Sequence, residues 1–165
     1  MFITVHAAAA TIVGRFVPNA WLAFLLGLVS HFILDMIPHG DEEMEKRFCG
    51  LKFRRFREEE QIKFMAWYGS MDSFFLAVYL IFLFKNFDFA HADNVVWAII
   101  GGILPDIMAV LYKVKKIKTF EPINWFHTNV HRSIINRFKI NIKLKPGIFM
   151  QVCIMIFLVW MIYFI

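Results

Sequence analysis

Five apolar stretches, separated by a Pro-Asn turn and a few blocks of charge, leave this chain few ways to fold. They run over residues 2–17, 20–37, 65–84, 94–114 and 148–165. Apolar helices of about 17–25 residues cross the roughly 30 Å hydrocarbon core while bonding every backbone group internally. The first stretch is short and needs tilt or local thinning of the bilayer. The expected fold class is therefore all-α, a multi-pass transmembrane helical bundle in one domain over residues 1–165. Its five spans form two hairpins and a C-terminal helix. Pro18-Asn19 turns the first hairpin, Pro38 stops the second span, and Pro146-Gly147 opens the fifth.

Composition agrees. The chain is 59% hydrophobic and 19% charged, where a soluble domain carries about 25% charge. Its net charge of +5 is better explained by orientation in a membrane than by nucleic acid, which is not an expected partner. Sixteen of the eighteen Lys and Arg residues fall in or beside the loops 38–64 and 115–147, leaving Arg15 and Lys85 on the other side. By the positive-inside rule these loops and the N-terminus face the cytoplasm, and the C-terminus lies across the cell (inner) membrane. Trp21, Trp97 and Trp160 then fall near the far interface and Trp67 and Trp125 near the cytoplasmic one, as aromatic belts require. Of the two cysteines, Cys49 is in a charged loop and Cys153 in an apolar run, so no disulfide is expected. No Lys or Arg precedes the first span, so no signal peptide is expected.

Ionisable side chains inside apolar spans are costly and mark functional sites by default. His6, His31, Asp35, Asp72 and Asp106 are such residues. His6 and His31 each stand about 12 residues from the first turn, so a rise of about 1.5 Å per residue sets both at nearly one depth. Asp72 and Asp106 stand 17 positions either side of Phe89, where the second hairpin turns. Asp35 lies one helical turn beyond His31 on the same face. The expectation is one polar layer in the cytoplasmic half. His39, after Pro38, and the pair His127-x-x-x-His131 approach it from the cytoplasmic loops; His91 lies on the far side.

Imidazole and carboxylate at i, i+4 make a metal-binding pair, as in His31-x-x-x-Asp35. The candidate ligands are His6, His31, Asp35, His39, Asp72, Asp106, His127 and His131, with Asp72 and Asp106 as candidate catalytic carboxylates. Zinc suits this donor set, with one to three ions, and manganese or iron are alternatives. A metal lowers the pKa of a bound water towards about 7, so that it attacks phosphorus or a carbonyl while a spare carboxylate takes a proton. Taken singly, each residue has an ordinary role. His6 can be a hydrogen-bonded packing residue, Asp72 a helix cap beside Ser73, Asp106 a partner for backbone groups freed by Pro105, and His39 an interfacial residue. Their common depth favours the metal site. The charged stretch 41–63, with Phe48, Leu51, Phe53 and Phe56, reads as a solvated interfacial helix, or as a lid or headgroup-binding surface.

At HFILDMIPHGDE, GGILPDIMAV and FHTNVHR the chain resembles small bacterial membrane proteins described as membrane-bound metal-dependent hydrolases. Some of these are zinc-dependent phospholipase C-like. The resemblance covers residues 6 to about 131 and implies a helical, zinc-using hydrolase of phosphoester bonds. In soluble zinc phospholipases C and related nucleases, His-x-x-x-Asp/Glu pairs hold three zincs. His31-x-x-x-Asp35 matches that element and Asp72 would take the place of the bridging aspartate. His127-x-x-x-His131 departs from it by offering His for a carboxylate, and the N-terminal ligand of those enzymes has no evident counterpart.

The function expected is hydrolysis of a phosphoester in a lipid or amphiphile at the cytoplasmic leaflet, with membrane lipids as partners. An ion- or proton-coupled transporter is the first alternative, although a transporter site is expected nearer the midplane. A non-catalytic, metal-binding scaffold is the second.

Overall fold

The computed structural model describes residues 1–40, 58–115, 117–138 and 142–164, and every regular element among them is helical. The six α-helices are α1 (Ile3–Phe16), α2 (Ala20–Asp35), α3 (Glu58–Asn86), α4 (Ala92–Lys115), α5 (Glu121–Phe138) and α6 (Leu144–Phe164). A 3-10 turn, Lys118–Phe120, leads into α5. Residues 41–57, which include Cys49 and most of the expected interfacial stretch, lie outside the described residues.

The first hairpin forms as its sequence dictates. Asn19 caps α2, its Oδ1 accepting from the Trp21 and Leu22 amides at 2.9 and 3.2 Å. That satisfies two of the N–H groups a helix start leaves open. Asn94 on α4 donates through Nδ2 to the Val17 carbonyl at 2.7 Å and ties the turn to the next helix. At its other end α2 stops at Asp35, two residues before the expected Ile37. The last turn tightens there, with Ile37 N donating to Leu34 O at 3.0 Å, ahead of Pro38.

Three helical segments are long and apolar enough to cross a membrane: Ala66–Asn86 within α3, α4, and α6. α1 and α2, with 14 and 16 residues, are apolar but shorter, spanning only about 21 and 24 Å. Among the described residues the two helices of the expected second hairpin do not pack as a pair. α4 packs against α2 and α1 together, whereas α3 and α6 each pack on α1. α1 is thus the centre of the bundle.

Small residues make this arrangement possible. The interior is lined by Ala7, Ala8, Ala10, Ala23 and Ala98, while Trp21, Leu25, Ile33, Phe74, Ile81, Phe149 and Ile156 face outward. Large apolar groups outside and small ones between helices is the pattern of a bundle surrounded by lipid. At Gly27 a Cβ would stand 2.1 Å from the Ala98 carbonyl oxygen, and at Gly101 one would stand 2.2 Å from that of Phe24. Only glycine lets α2 and α4 approach so closely. Trp21 and Trp97, expected at one interface, stack with ring centroids 6.2 Å apart.

Candidate metal centre

The close approach of α2 and α4 sets the first ligand. His31 on α2 is fully buried, and its Nδ1 lies 2.8 Å from the Gly102 carbonyl oxygen on α4. That carbonyl accepts only if Nδ1 carries the proton, which leaves the Nε2 lone pair facing Asp35 Oδ2 at 3.3 Å. Ligating histidines are commonly oriented in this way by the hydrogen bond of their other nitrogen.

α5 supplies the second imidazole. It is an 18-residue helix where sequence alone placed a loop, so His127 is carried by a rigid element. Its Nε2 stands 3.0 Å from Asp35 Oδ2 and 3.3 Å from Asp106 Oδ1. Asp106 follows Pro105 inside α4. His31, Asp35, Asp106 and His127 each offer one ligand atom, all within 4.8 Å of one another. Two donors at about 2.0–2.1 Å from a tetrahedral zinc lie roughly 3.3 Å apart, close to the 3.0–3.3 Å of the three His–Asp contacts here.

The donor atoms fit a cation on a further count. His31 Nε2, Asp35 Oδ2, Asp106 Oδ2 and both nitrogens of His6 are buried without a hydrogen bond among the described residues. All but His6 Nδ1 stand at ion-pair distance from another member of the cluster. Buried polar atoms left so are expensive, and two carboxylates at this depth need positive charge. A divalent cation would satisfy His31 Nε2 and Asp35 Oδ2 together, and nitrogen with oxygen donors suits zinc, manganese or iron.

His6 lies against this group. Its Nε2 is 3.1 Å from Asp35 Oδ1 and 3.8 Å from Asp106 Oδ2, and its ring centroid is 4.1 Å from that of His31. The α-amino nitrogen of Met1 donates to Asp35 Oδ1 at 3.1 Å. Sequence reading saw no N-terminal nitrogen at the site, since the extended Met1-Phe2 segment folds there only through contacts with other helices.

Burial alone would push the His127 imidazole down, but the adjoining Asp106 and Asp35 carboxylates outweigh it and raise it to about 9. In the metal-free protein it is an imidazolium at neutral pH.

Two expected ligands are elsewhere. Asp72 on α3 turns to the start of α1. Its Oδ2 accepts from the Ile3 amide at 2.7 Å, and its Oδ1 from the Thr4 amide at 3.3 Å and the Thr4 hydroxyl at 2.8 Å. It does cap a helix, but α1 and not its own. α1 has no side-chain cap of its own, so a carboxylate from another helix supplies the acceptors and complements the positive end of the helix dipole. Gln151 on α6 serves the neighbouring Phe2 amide through Oε1 at 2.7 Å.

His39 is buried at the foot of α6. Its Nδ1 lies 2.6 Å from the Ile37 carbonyl oxygen, and its own carbonyl accepts from Gln151 Nε2 at 3.3 Å. Gly40 holds φ at +90°, and a Cβ on Gly147 would stand 2.2 Å from the His39 oxygen. These two glycines fasten the end of the α2 segment to α6. The backbone of His131 belongs to α5, but its side chain lies outside the described residues.

Comparison of the chain with protein-family models, curated proteins and solved structures finds no match.

Proposed function

We propose that this protein is a membrane-embedded metal-dependent hydrolase that cleaves a phosphoester of a lipid or amphiphile at the cytoplasmic leaflet. The observation that carries the reading is the convergence of His31, Asp35, Asp106 and His127 from three helices into one ligand-sized group. It stands at the Lys/Arg-rich end of an apolar bundle, where lipid phosphates lie. In this reading all five apolar helices are inserted, the short α1 and α2 tilting or thinning the bilayer, and the N-terminus is cytoplasmic.

The four residues would hold one ion, zinc by donor preference. When bound, the ion supplies Lewis acidity towards a phosphoryl oxygen and lowers the pKa of a water. The chain does the rest. Gly102 fixes the His31 tautomer, and Asp35, at 1% exposure, holds the inner wall of the site. Asp106 and His127, at 17% and 13%, form its open side. Beside that opening, Trp125 and Phe126 are exposed on α5, an apolar rim suited to an acyl chain or headgroup region.

The test is elemental analysis of protein purified in detergent without chelators, beside His31→Ala and Asp35→Ala. Hydrolysis of a phosphodiester and of phospholipid vesicles is measured on the same samples. Metal near stoichiometry in wild type, lost together with turnover in both variants, is the expected result. Metal-free wild type, or turnover indifferent to these substitutions, would sink the proposal.

A further inference from the structure

His6 is fully buried, and neither of its ring nitrogens has a hydrogen bond among the described residues. It also stands outside the four-residue group just described. A fully buried imidazole with two unsatisfied nitrogens calls for a ligand of its own.

The two carboxylates divide their oxygens in a consistent way. Asp35 turns Oδ2 to His31 and His127, at 3.3 and 3.0 Å, and Oδ1 to His6 at 3.1 Å. Asp106 turns Oδ1 to His127 at 3.3 Å and Oδ2 to His6 at 3.8 Å. Each carboxylate therefore presents one oxygen to the His31/His127 side and the other to the His6 side. A pair of carboxylates sharing one ion has no need of this division, whereas carboxylates that bridge two cations require it.

From this arrangement we infer that the protein binds a second divalent cation, held by His6, Asp35 Oδ1 and Asp106 Oδ2, with both aspartates bridging it to the first. The inference rests on the single-ion site proposed above and extends it. The α-amino nitrogen of Met1 shares Asp35 Oδ1, so the second cation competes with that ammonium for the oxygen. Paired cations bridged by carboxylates would clamp the attacking and leaving oxygens of a phosphoryl group from both sides, which suits the phosphoester substrate of that reading.

The experiment is titration of chelator-stripped protein with Mn²⁺, reading ions per chain by elemental analysis and their coupling by electron paramagnetic resonance. Wild type should saturate at two Mn²⁺ per chain with an exchange-coupled signal. His6→Asn, a smaller polar replacement, should saturate at one with the signal of an isolated ion. Saturation of wild type at one isolated Mn²⁺ is the outcome if His6 is only a fifth ligand to the first ion. That result, or two ions without coupling, overturns the second site and leaves the first standing. A folded His6→Asn that still binds two also overturns it, and if that variant fails to fold, wild-type stoichiometry and coupling decide alone. Wild type that binds no ion overturns the single-ion reading as well.

Discussion

His31 Nδ1 and the Gly102 carbonyl oxygen meet at 2.8 Å between α2 and α4, and this contact decides which nitrogen of His31 faces the carboxylates. It exists because Gly27 and Gly101 let the two backbones touch. Packing and coordination are therefore one problem in this protein.

Gly27→Ala tests that link. The added Cβ would lie 2.1 Å from the Ala98 carbonyl oxygen, and backbone cannot yield as a flexible side chain would. The expected cost is about 1–3 kcal/mol of stability. Metal affinity should fall roughly 10–100-fold as the His31–Gly102 contact opens. Thermal unfolding in detergent and competition with a chromophoric chelator read the two effects. Unchanged affinity in a destabilised variant would separate packing from coordination.

Asp72→Ala separates a helix cap from a ligand. Asp72 holds three donors at the start of α1. Removing it should cost about 1–3 kcal/mol by leaving amides unsatisfied while the folded variant keeps its full complement of metal. Loss of an ion from folded Asp72→Ala would return Asp72 to the ligand set.

Asp35→Ala should behave in the opposite way. Asp35 faces His6, His31, His127 and the Met1 ammonium, so its removal leaves buried positive charge without a counter-ion. A loss of about 3–5 kcal/mol is expected from breaking a buried pair on one side, together with all bound metal. Elemental analysis and unfolding in the same detergent measure both.

The raised His127 predicts a pH dependence. Its protonation contributes stability to the metal-free fold that is fully present below the unfolded value of about 6.5 and lost as pH rises through about 9. Metal binding must displace that proton, so affinity should tighten as pH rises through this window. A chelator-competition series from pH 6 to 9 checks this. His127→Ala should bind more weakly throughout, with a flatter profile.

Much of this was written locally in the chain. The apolar runs set the helices, Pro18-Asn19 and Pro38 set where the first hairpin turns and stops, and helical spacing set His31 and Asp35 on one face. Equal distances from each turn set His6 level with His31 and Asp106 level with Asp72, because helical rise is constant whatever the neighbours are.

The neighbours decided the rest. Asp72 was placed at the same depth by the same arithmetic, yet α3 packs on α1 and not on α4, so its carboxylate meets open amides at Ile3 and Thr4 before it can meet a cation. His127 enters because the loop that carries it is a helix lying against α4 and α2. Hydrophobic period and helical rise are properties of a segment. Which donor reaches which acceptor depends on how segments pack, and here that depends on a few glycines whose missing side chains no periodicity reveals.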